Sequence, residues 1–322
     1  MSLLDKIRPL FSGVGLLLFF FVSLALPTVV CANNNINIFV VLSKNTQPYQ
    51  QFKTQFQQTL YSSPLPKIKF HLIDTDIAAS ISALYESGVH PDYIVTAGTQ
   101  AAHQLISTNV SAPTIFSLIP ASSYQNNIQH SPYCKTKTHC SAIYLDQPIN
   151  RQFRLIKKGL PDLRHLGIIL GPTSLTMKAS ILQAAKKYKL DVHIAEAEKD
   201  DNLIVLSDKL GKISDALLAI PDPDIYNRKT AKGLLLSSYK NNTPLIAYSK
   251  GFVHAGALFS IYSTPEQIAK QTGMMLMRLM SSSENILPAS EPPNLYTIDI
   301  NPAVLRSVRG KINFNDAMLD KR

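Results

Sequence analysis

Residues 243–278 read TPLIAYSKGFVHAGALFSIYSTPEQIAKQTGMMLMR. Pro244–Tyr248 is a short apolar run that predicts a buried strand, and Ala257–Tyr262 predicts a second strand. Thr264 is a favourable N-cap and Pro265 suits the first helical position, so a helix is predicted to begin there. The apolar residues that follow recur at helical spacing. The stretch therefore predicts a strand, a polar loop, a second strand and a long helix.

The rest of the chain alternates predicted strands with predicted helices. Further strands are predicted at Ile36–Leu42, Ile68–Ile73, Tyr93–Ala97, Thr114–Ile119, Ala142–Asp146, His165–Leu170, Leu190–Ala195, Ala216–Ile220 and Leu295–Ile300. Helical patterns lie between most of them, for example at Tyr49–Tyr61 and Leu175–Tyr188. Repeated strand–helix alternation is typical of doubly wound parallel sheets, so the fold class is predicted to be α/β.

The segment Phe252–Leu258 reads FVHAGAL. With the strand before it and the helix after it, this segment resembles a signature of ABC transporter substrate-binding proteins, in the family that includes tryptophan- and tyrosine-binding members. The resemblance implies a type I periplasmic-binding-protein fold, in which three crossovers join two α/β lobes and a ligand binds in the cleft. We expect lobe one at residues 33–142 and 262–322, lobe two at 143–261, and crossover strands at 142–146 and 257–262.

The composition suits a two-domain protein. The chain has 322 residues, of which 45% are apolar, and this is enough for two hydrophobic cores. The formal net charge of +10 favours anionic partners such as a membrane surface, nucleic acid or an acidic ligand. The basic residues are scattered, however, with only small clusters such as Lys157-Lys158. We therefore interpret them as a solvated surface and expect no nucleic-acid partner.

Residues 1–32 have the pattern of a secretory signal peptide. Lys6 and Arg8 give a positive start, and a long apolar run follows before Pro27. The small residues around Cys31 fit signal peptidase cleavage, which predicts export to the periplasm. Residues 10–30 are also long enough to span a bilayer, so an uncleaved inner-membrane anchor is the alternative.

Two cysteines remain beyond the predicted signal peptide, Cys134 and Cys140. In an exported protein, a close pair in a polar loop predicts a disulfide. The alternative is a metal site that also uses His139, but a fourth ligand is missing nearby and adjacent His and Cys suit tetrahedral geometry poorly. We therefore predict a disulfide and no metal site.

Ligands of open parallel sheets bind beyond the carboxyl ends of the strands. This rule selects six polar loops, three in each predicted lobe. In lobe one the candidate ligand-binding residues are Ser43, Gly98, Thr99, Gln100 and Pro120. In lobe two the candidates are Thr173, Ser174, Asp222, Tyr226, Ser249 and Lys250.

Gly98-Thr99-Gln100 is the strongest candidate, because glycine lets the backbone approach a ligand and amides at a helix start attract an anion. A bound carboxylate would accept hydrogen bonds from these amides and from the Thr99 hydroxyl. Thr99 could also act only as a helix cap. Asp222 would receive a ligand ammonium, or would stabilise a turn. Tyr226 would stack on an aromatic ligand, or would pack in the core.

The chain departs from the family pattern at several of these loops. Residues 221–224 read PDPD where a Thr/Asn-rich turn is usual. Residues 119–122 read IPAS where family members commonly carry a Thr-Asp-Pro-like turn. Residues 249–251 read SKG where an acidic residue often precedes the signature. A positive charge at Lys250 would favour an anionic ligand. The resemblance therefore supports the fold but does not transfer a ligand.

The resemblance implies a periplasmic solute-binding protein that closes on a small ligand, an amino acid or a small organic anion, for an ABC importer. The alternative is a sensor or partner-binding subunit of the same fold, possibly membrane-anchored, that works without transport. An enzyme is not predicted, because the sequence has no nucleophile elbow, zinc-protease motif, phosphate loop or dinucleotide fingerprint. We expect a monomer without a cofactor, whose partner is an ABC permease or a membrane receptor.

Overall fold

The computed structural model describes residues 35–62, 67–135, 139–282, 286–308 and 313–314. Contacts divide the chain into two units, residues 1–35 and 36–322, and the fold below belongs to the second. The predicted signal peptide lies outside the described residues. Within the described ranges, none of the helices combines the length and the apolar character that a membrane crossing requires.

The first sheet has five parallel strands in the order β2-β1-β3-β4-β5. These strands are β1 (Ile36–Leu42), β2 (Ile68–Ile73), β3 (Tyr93–Ala97), β4 (Thr114–Ile119) and β5 (Cys140–Tyr144). Its helices are α1 (Gln47–Tyr61), α2 (Ile77–Glu86), α3 (Thr99–Ile106) and the short α4 (Ala121–Ser123), which continues into a π-helical turn. The central strands are almost fully buried, because helices cover both faces of the sheet.

The second sheet has six strands in the order β11-β10-β9-β8-β6-β7, and only β11 is antiparallel to its neighbour. They are β6 (His165–Leu170), β7 (Asp191–Glu196), β8 (Ala216–Leu218), β9 (Leu245–Ala247), β10 (Phe259–Tyr262) and β11 (Thr297–Ile300). The remaining helices are α5 (Ile149–Gly159), α6 (Lys178–Tyr188), α7 (Leu203–Gly211), α8 (Ala231–Lys240), α9 (Lys250–His254), α10 (Pro265–Met280) and α11 (Pro302–Leu305).

The helix predicted from the opening stretch is α10, and its first turn forms as expected. The Thr264 hydroxyl accepts a hydrogen bond from the Gln267 amide at 3.2 Å, and the Gln267 side chain accepts one from the Thr264 amide at 3.0 Å. This reciprocal pair is a capping box that satisfies two amides at the helix start. One face of α10 packs against α1, so the helix belongs to the first lobe.

The division into lobes differs from the expectation at three points. β5 lies wholly in the first sheet, so the first crossover is residues 145–148 rather than 142–146. β10 lies in the second sheet, so the chain returns at residues 263–264 rather than along 257–262. β11 was assigned to lobe one within 262–322 but pairs with β10 in the second sheet. Short apolar strands do not reveal their partners, because pairing is decided by contacts distant in sequence.

The predicted disulfide is present. Cys134 and Cys140 are bonded, with their Cα atoms 5.5 Å apart. The bond ties a single 3₁₀ turn, Pro132–Cys134, to the first residue of β5. It therefore anchors one end of the irregular segment between β4 and β5 to the edge of the first sheet.

Candidate functional site

The carboxyl ends of β1 and β3 meet at the start of α3. Ser43 follows β1, and its hydroxyl accepts a hydrogen bond from the Ala101 amide at 2.8 Å. Gly98 follows β3 with a φ of 95°, a conformation that side-chain-bearing residues rarely adopt. A Cβ at Gly98 would lie 2.5 Å from the Ser43 hydroxyl oxygen and 2.8 Å from the Tyr49 hydroxyl oxygen. Glycine is therefore required here for both backbone angle and space.

This geometry separates the two roles considered for Thr99. The start of α3 is capped by the side chain of Ser43, which follows β1, whereas Thr99 is the first residue of α3 itself. Among the described residues, none forms a hydrogen bond with the Thr99 hydroxyl, and the residue is half-buried. Gln100, next in the helix, is exposed. The Thr99 hydroxyl is thus open to a ligand in a way that a capping hydroxyl would not be.

β4 ends in an irregular segment. The pairing of β4 with β5 shifts register between Ser117 and Ile119, and Leu118 between them has a φ of 52°. A bulge of this kind turns the strand and redirects the side chains that follow. Pro120 then precedes α4, and the Ala121 amide donates a hydrogen bond to Asp146 Oδ2 at 2.6 Å.

Sequence reasoning did not select Asp146. The residue lies just beyond the carboxyl end of β5 and is partly exposed. Burial raises the pKa of its carboxyl group, and the hydrogen bond from the Ala121 amide offsets part of that rise. The available signal was its position after an apolar run. The sequence does not select it, because the predicted strand at 142–146 is expected to be a crossover into lobe two, whereas β5 is the edge strand of the first sheet and has a carboxyl end of its own.

In the second lobe, Asp222 lies at the centre of a buried loop cluster. It is 2% exposed and follows the residues that extend β8. Asp222 Oδ2 accepts hydrogen bonds from the Ser174 amide and hydroxyl, both at 2.8 Å. Asp222 Oδ1 accepts one from the Asp224 amide at 3.0 Å. Because both carboxylate oxygens are used within the protein, this geometry favours a structural role for Asp222 and Ser174 over direct ligand contact.

The neighbouring candidates on this edge are more open. Thr173 is half-buried beside the buried Ser174. Ser249 is half-buried at the N-cap position of α9, although its side chain makes no capping hydrogen bond there. Lys250 is exposed as the first residue of α9. The predicted polar loop at 249–251 therefore begins a short helix, which brings Phe252 round towards the carboxyl end of β9.

Three aromatic side chains cluster at the carboxyl ends of β8 and β9. The ring centroids of Tyr226 and Tyr248 are 6.2 Å apart, those of Tyr226 and Phe252 6.1 Å, and those of Tyr248 and Phe252 5.3 Å. Tyr226 is buried, whereas the other two are partly exposed. Burial, with the nearby Asp222 charge, raises the pKa of Tyr248 to about 12, and burial also raises that of Tyr226. Both phenols are therefore neutral at physiological pH.

Hydrogen bonds join the three segments that pass between the lobes. Gln147 Nε2 donates to the Ser263 hydroxyl at 2.8 Å, and that hydroxyl donates to the Leu295 carbonyl at 2.6 Å. Arg151 adds a bond to the Pro293 carbonyl at 2.7 Å. Gln147 lies on the first crossover and Ser263 on the second. Leu295 lies just before β11, where the chain passes between the lobes for a third time. The crossovers therefore meet in one polar network next to the carboxyl edge of β5.

The described residues contain no group of three or more His, Cys, Asp or Glu side chains that could hold a metal ion. The groups that reach solvent at the two carboxyl edges include hydroxyls, aromatic rings and the lysine side chain of Lys250, and the partly exposed residue Asp146 adds a carboxyl group. This set can bind a small organic molecule through hydrogen bonds, stacking and charge.

Comparison with known proteins identifies the family. The model of the ABC transporter substrate binding protein family matches residues 65–303. No curated protein sequence is significantly similar to this chain. The matched range contains every strand from β2 to β11 and the signature segment Phe252–Leu258.

Solved structures share the fold at low sequence identity. A ligand-free, open substrate-binding protein with adhesive properties from Clostridium difficile has a TM-score of 0.64 and 16% identity, covering 85% of this chain and 94% of that chain. A conserved domain protein from Vibrio cholerae has a TM-score of 0.57 and 16% identity, covering 88% and 97%. An ABC domain in complex with L-Trp from Streptococcus pneumoniae has a TM-score of 0.54 and 18% identity, covering 84% and 93%.

The predicted α/β fold with two parallel-sheet lobes is confirmed by these neighbours and by the strand order of both sheets. The expected signature at 252–258 lies inside the matched range. The chain belongs to the ABC transporter substrate-binding protein family and has the fold of a type I periplasmic binding protein.

Proposed function

We propose that the protein binds one small molecule, an amino acid or a small organic anion, between the carboxyl edges of its two sheets. The observation that carries this proposal is that each edge offers a group to a ligand. On one edge the Thr99 hydroxyl has no hydrogen-bond partner among the residues that the structure describes, and on the other the rings of Tyr248 and Phe252 are partly exposed. Thr99 with the start of α3 suits a carboxylate, and the rings suit an apolar or aromatic group. The complex of the Streptococcus pneumoniae relative with L-Trp supports a ligand of this kind.

The proposed role is delivery of this ligand to an ABC permease. The predicted signal peptide would export the protein to the periplasm, where it would act as a monomer without catalysis. The two lobes would close by bending at the crossover segments, because a ligand that contacts both edges favours the closed form. Lysine at position 250 would add attraction for an anionic group.

A thermal-shift screen of the chain from Asn33 onward tests binding. The panel comprises amino acids, small organic acids, nucleosides and sugars. A true ligand raises Tm with concentration, because it stabilises only the folded state. Absence of any response from folded, ligand-free protein would contradict solute binding.

Thr99→Ala is expected to weaken binding of a carboxylate ligand by about 1–3 kcal/mol, the scale of a hydrogen bond to a charged group. Isothermal titration calorimetry measures the change. Thr108→Ala is the matched control, because Thr108 lies after the opposite end of α3 and its hydroxyl bonds the Leu105 carbonyl. Equal affinities of Thr99→Ala and the unaltered protein would remove Thr99 from the site.

Tyr248→Ala is expected to weaken binding of an aromatic ligand about 10-fold or more, because an aromatic pair contributes about 0.5–1.5 kcal/mol beyond its buried area. Tyr239→Ala is the control, since Tyr239 is an exposed tyrosine on α8. If only Tyr239→Ala changed the affinity, the aromatic cluster would not be the ligand contact.

A sensor or partner-binding subunit remains the second candidate. The observation that favours it is the internal use of Asp222, whose carboxylate bonds Ser174 and Asp224 rather than facing outward. A folded protein that binds no solute but binds a membrane receptor would support this role. In that case the permease would not be its partner.

A further inference from the structure

We propose that the Asp146 carboxylate receives the protonated nitrogen of the ligand, so that the bound solute is a cation or zwitterion. This inference rests on the proposed function, since it assigns a ligand group to the same site. Asp146 lies at the junction of the first sheet and the first crossover. The chemical class it selects is an amine, amidine or amino acid, as opposed to a neutral sugar or a simple acid.

The position of Asp146 would give a ligand access to it. The residue lies at the carboxyl edge of the first sheet, between the turn that contains Pro120 and the crossover residue Gln147. The residue as a whole is partly exposed, although its carboxyl group lies deep enough among protein atoms for burial to raise its pKa. Gln147, the next residue, is already bonded to Ser263 on the second crossover. A group held by Asp146 would therefore lie next to the segments that bend during closure.

The charges around Asp146 also support the proposal. Across the part of the chain that the structure describes, no lysine, arginine or histidine forms an ion pair with Asp146. The side chain accepts the Ala121 amide hydrogen, but an amide does not supply a full positive charge. Burial without a cation raises the pKa of the carboxyl group. A bound ammonium would provide the missing charge and would form a charge-assisted hydrogen bond.

The backbone next to Asp146 supports a ligand role over a purely structural one. Leu118 adopts a positive φ of 52° in the neighbouring strand, a left-handed conformation that is unfavourable for a residue with a side chain. Such strain and such bulges concentrate at binding sites, where they direct particular groups. Here the bulge precedes Pro120 and Ala121, whose amide holds the Asp146 carboxylate in place.

The arrangement also distinguishes Asp146 from Asp222. Both are carboxylates beyond the ends of parallel strands. Asp222 is 2% exposed and accepts three hydrogen bonds through its two oxygens. Asp146 is partly exposed as a residue, and among the described residues its tertiary hydrogen bond comes from the Ala121 amide. The ammonium site expected at Asp222 is therefore better provided by Asp146, on the opposite lobe.

The test is a double-mutant cycle between protein and ligand. The unaltered protein is first titrated with amino acids, putrescine and neutral sugars. The tightest amine is then compared with its analogue that lacks the amine; for L-tyrosine this analogue is 3-(4-hydroxyphenyl)propionate. Both are titrated into Asp146→Asn, whose amide oxygen can still accept the Ala121 hydrogen bond. Asp92→Asn is the matched control, because Asp92 also accepts a backbone amide bond, from Asn37, but lies before β3.

Removal of the amine is expected to weaken binding at least 30-fold in the unaltered protein and in Asp92→Asn, but less than 5-fold in Asp146→Asn. Equal discrimination in all three proteins, with unchanged melting of Asp146→Asn, would overturn the role of Asp146. Binding of only a sugar or an amine-free acid would overturn it while leaving solute binding intact. If the folded protein bound no compound at all, both solute binding and the Asp146 assignment would be rejected.

Discussion

Asp222→Ala is expected to lower the free energy of unfolding by about 3–5 kcal/mol, because it leaves buried donors without an acceptor and each unsatisfied donor costs about 1–3 kcal/mol. The change removes the acceptor for the Ser174 amide, the Ser174 hydroxyl and the Asp224 amide. Asp222 is 2% exposed, so water cannot readily replace it. Chemical denaturation followed by circular dichroism measures the loss, and Tm should fall by on the order of 10 °C.

Asp224→Ala is the matched control for this experiment. Asp224 lies in the same loop and carries the same charge, but its side chain is exposed. We expect its removal to change stability by less than about 0.5 kcal/mol, as for most surface positions. Similar losses in both variants would show that the loop responds to charge alone and not to the hydrogen bonds of Asp222.

Gly98→Ala is expected to destabilise the protein by about 2–4 kcal/mol and to weaken ligand binding as well. Part of the loss is the strain of a side chain at a φ of 95°, about 1–2 kcal/mol. The added Cβ would also lie 2.5 Å from the Ser43 hydroxyl oxygen, which must move away from the Ala101 amide. Loss of this helix cap costs about 1 kcal/mol more and displaces the start of α3.

Gly88→Ala separates strain from crowding. Gly88 has a φ of 76°, but a Cβ there would have no heavy atom within 4 Å beyond its own neighbours. We expect Gly88→Ala to lower the unfolding free energy by only about 1–2 kcal/mol, from backbone strain alone. If Gly98→Ala cost no more than this control, and bound ligand normally, the contact with Ser43 would have no role in shaping the site.

Asp222→Ala and Gly98→Ala both act at the carboxyl edges of the sheets. The first changes mainly stability, whereas the second also changes the edge that is proposed to bind the ligand. The Asp222 cluster makes one edge rigid with buried hydrogen bonds. Gly98 leaves room for Ser43 to accept the hydrogen bond from the Ala101 amide, and the Thr99 hydroxyl has no hydrogen-bond partner within the described ranges of the chain. Stability measurements should therefore report mainly on Asp222, and affinity measurements mainly on Thr99 and its surroundings.

The sequence predicted the first lobe closely where its strands are continuous apolar runs bounded by polar turns. β1, β2, β3 and β4 begin and end at the expected residues. Their helices also appear where apolar residues recur at helical spacing. Prediction was poorer for the short strands β8, β9 and β11, because three or four residues carry little periodicity.

Candidate site residues were harder to predict than strands. The rule of carboxyl ends selected loops that do lie beyond the carboxyl ends of strands, including the turn at Gly98 and the loop at Asp222. It did not reveal that Ser43, not Thr99, caps α3, because Ser43 lies 58 residues before its partner Ala101. It also did not select Asp146, because the rule needs the end of β5 to be known.

The sequence by itself determined the α/β class, the two groups of strands, the family signature at 252–258 and the Cys134–Cys140 bond. These features depend on local periodicity, on turn residues and on two cysteines that are close in sequence, and each of these can be read directly from the sequence. Tertiary structure alone decided the membership of β11 in the second sheet, the burial of Asp222 and the exposure of Asp146. Strand partners, burial and charge environment arise from residues far apart in sequence, so only their packing in space could establish them.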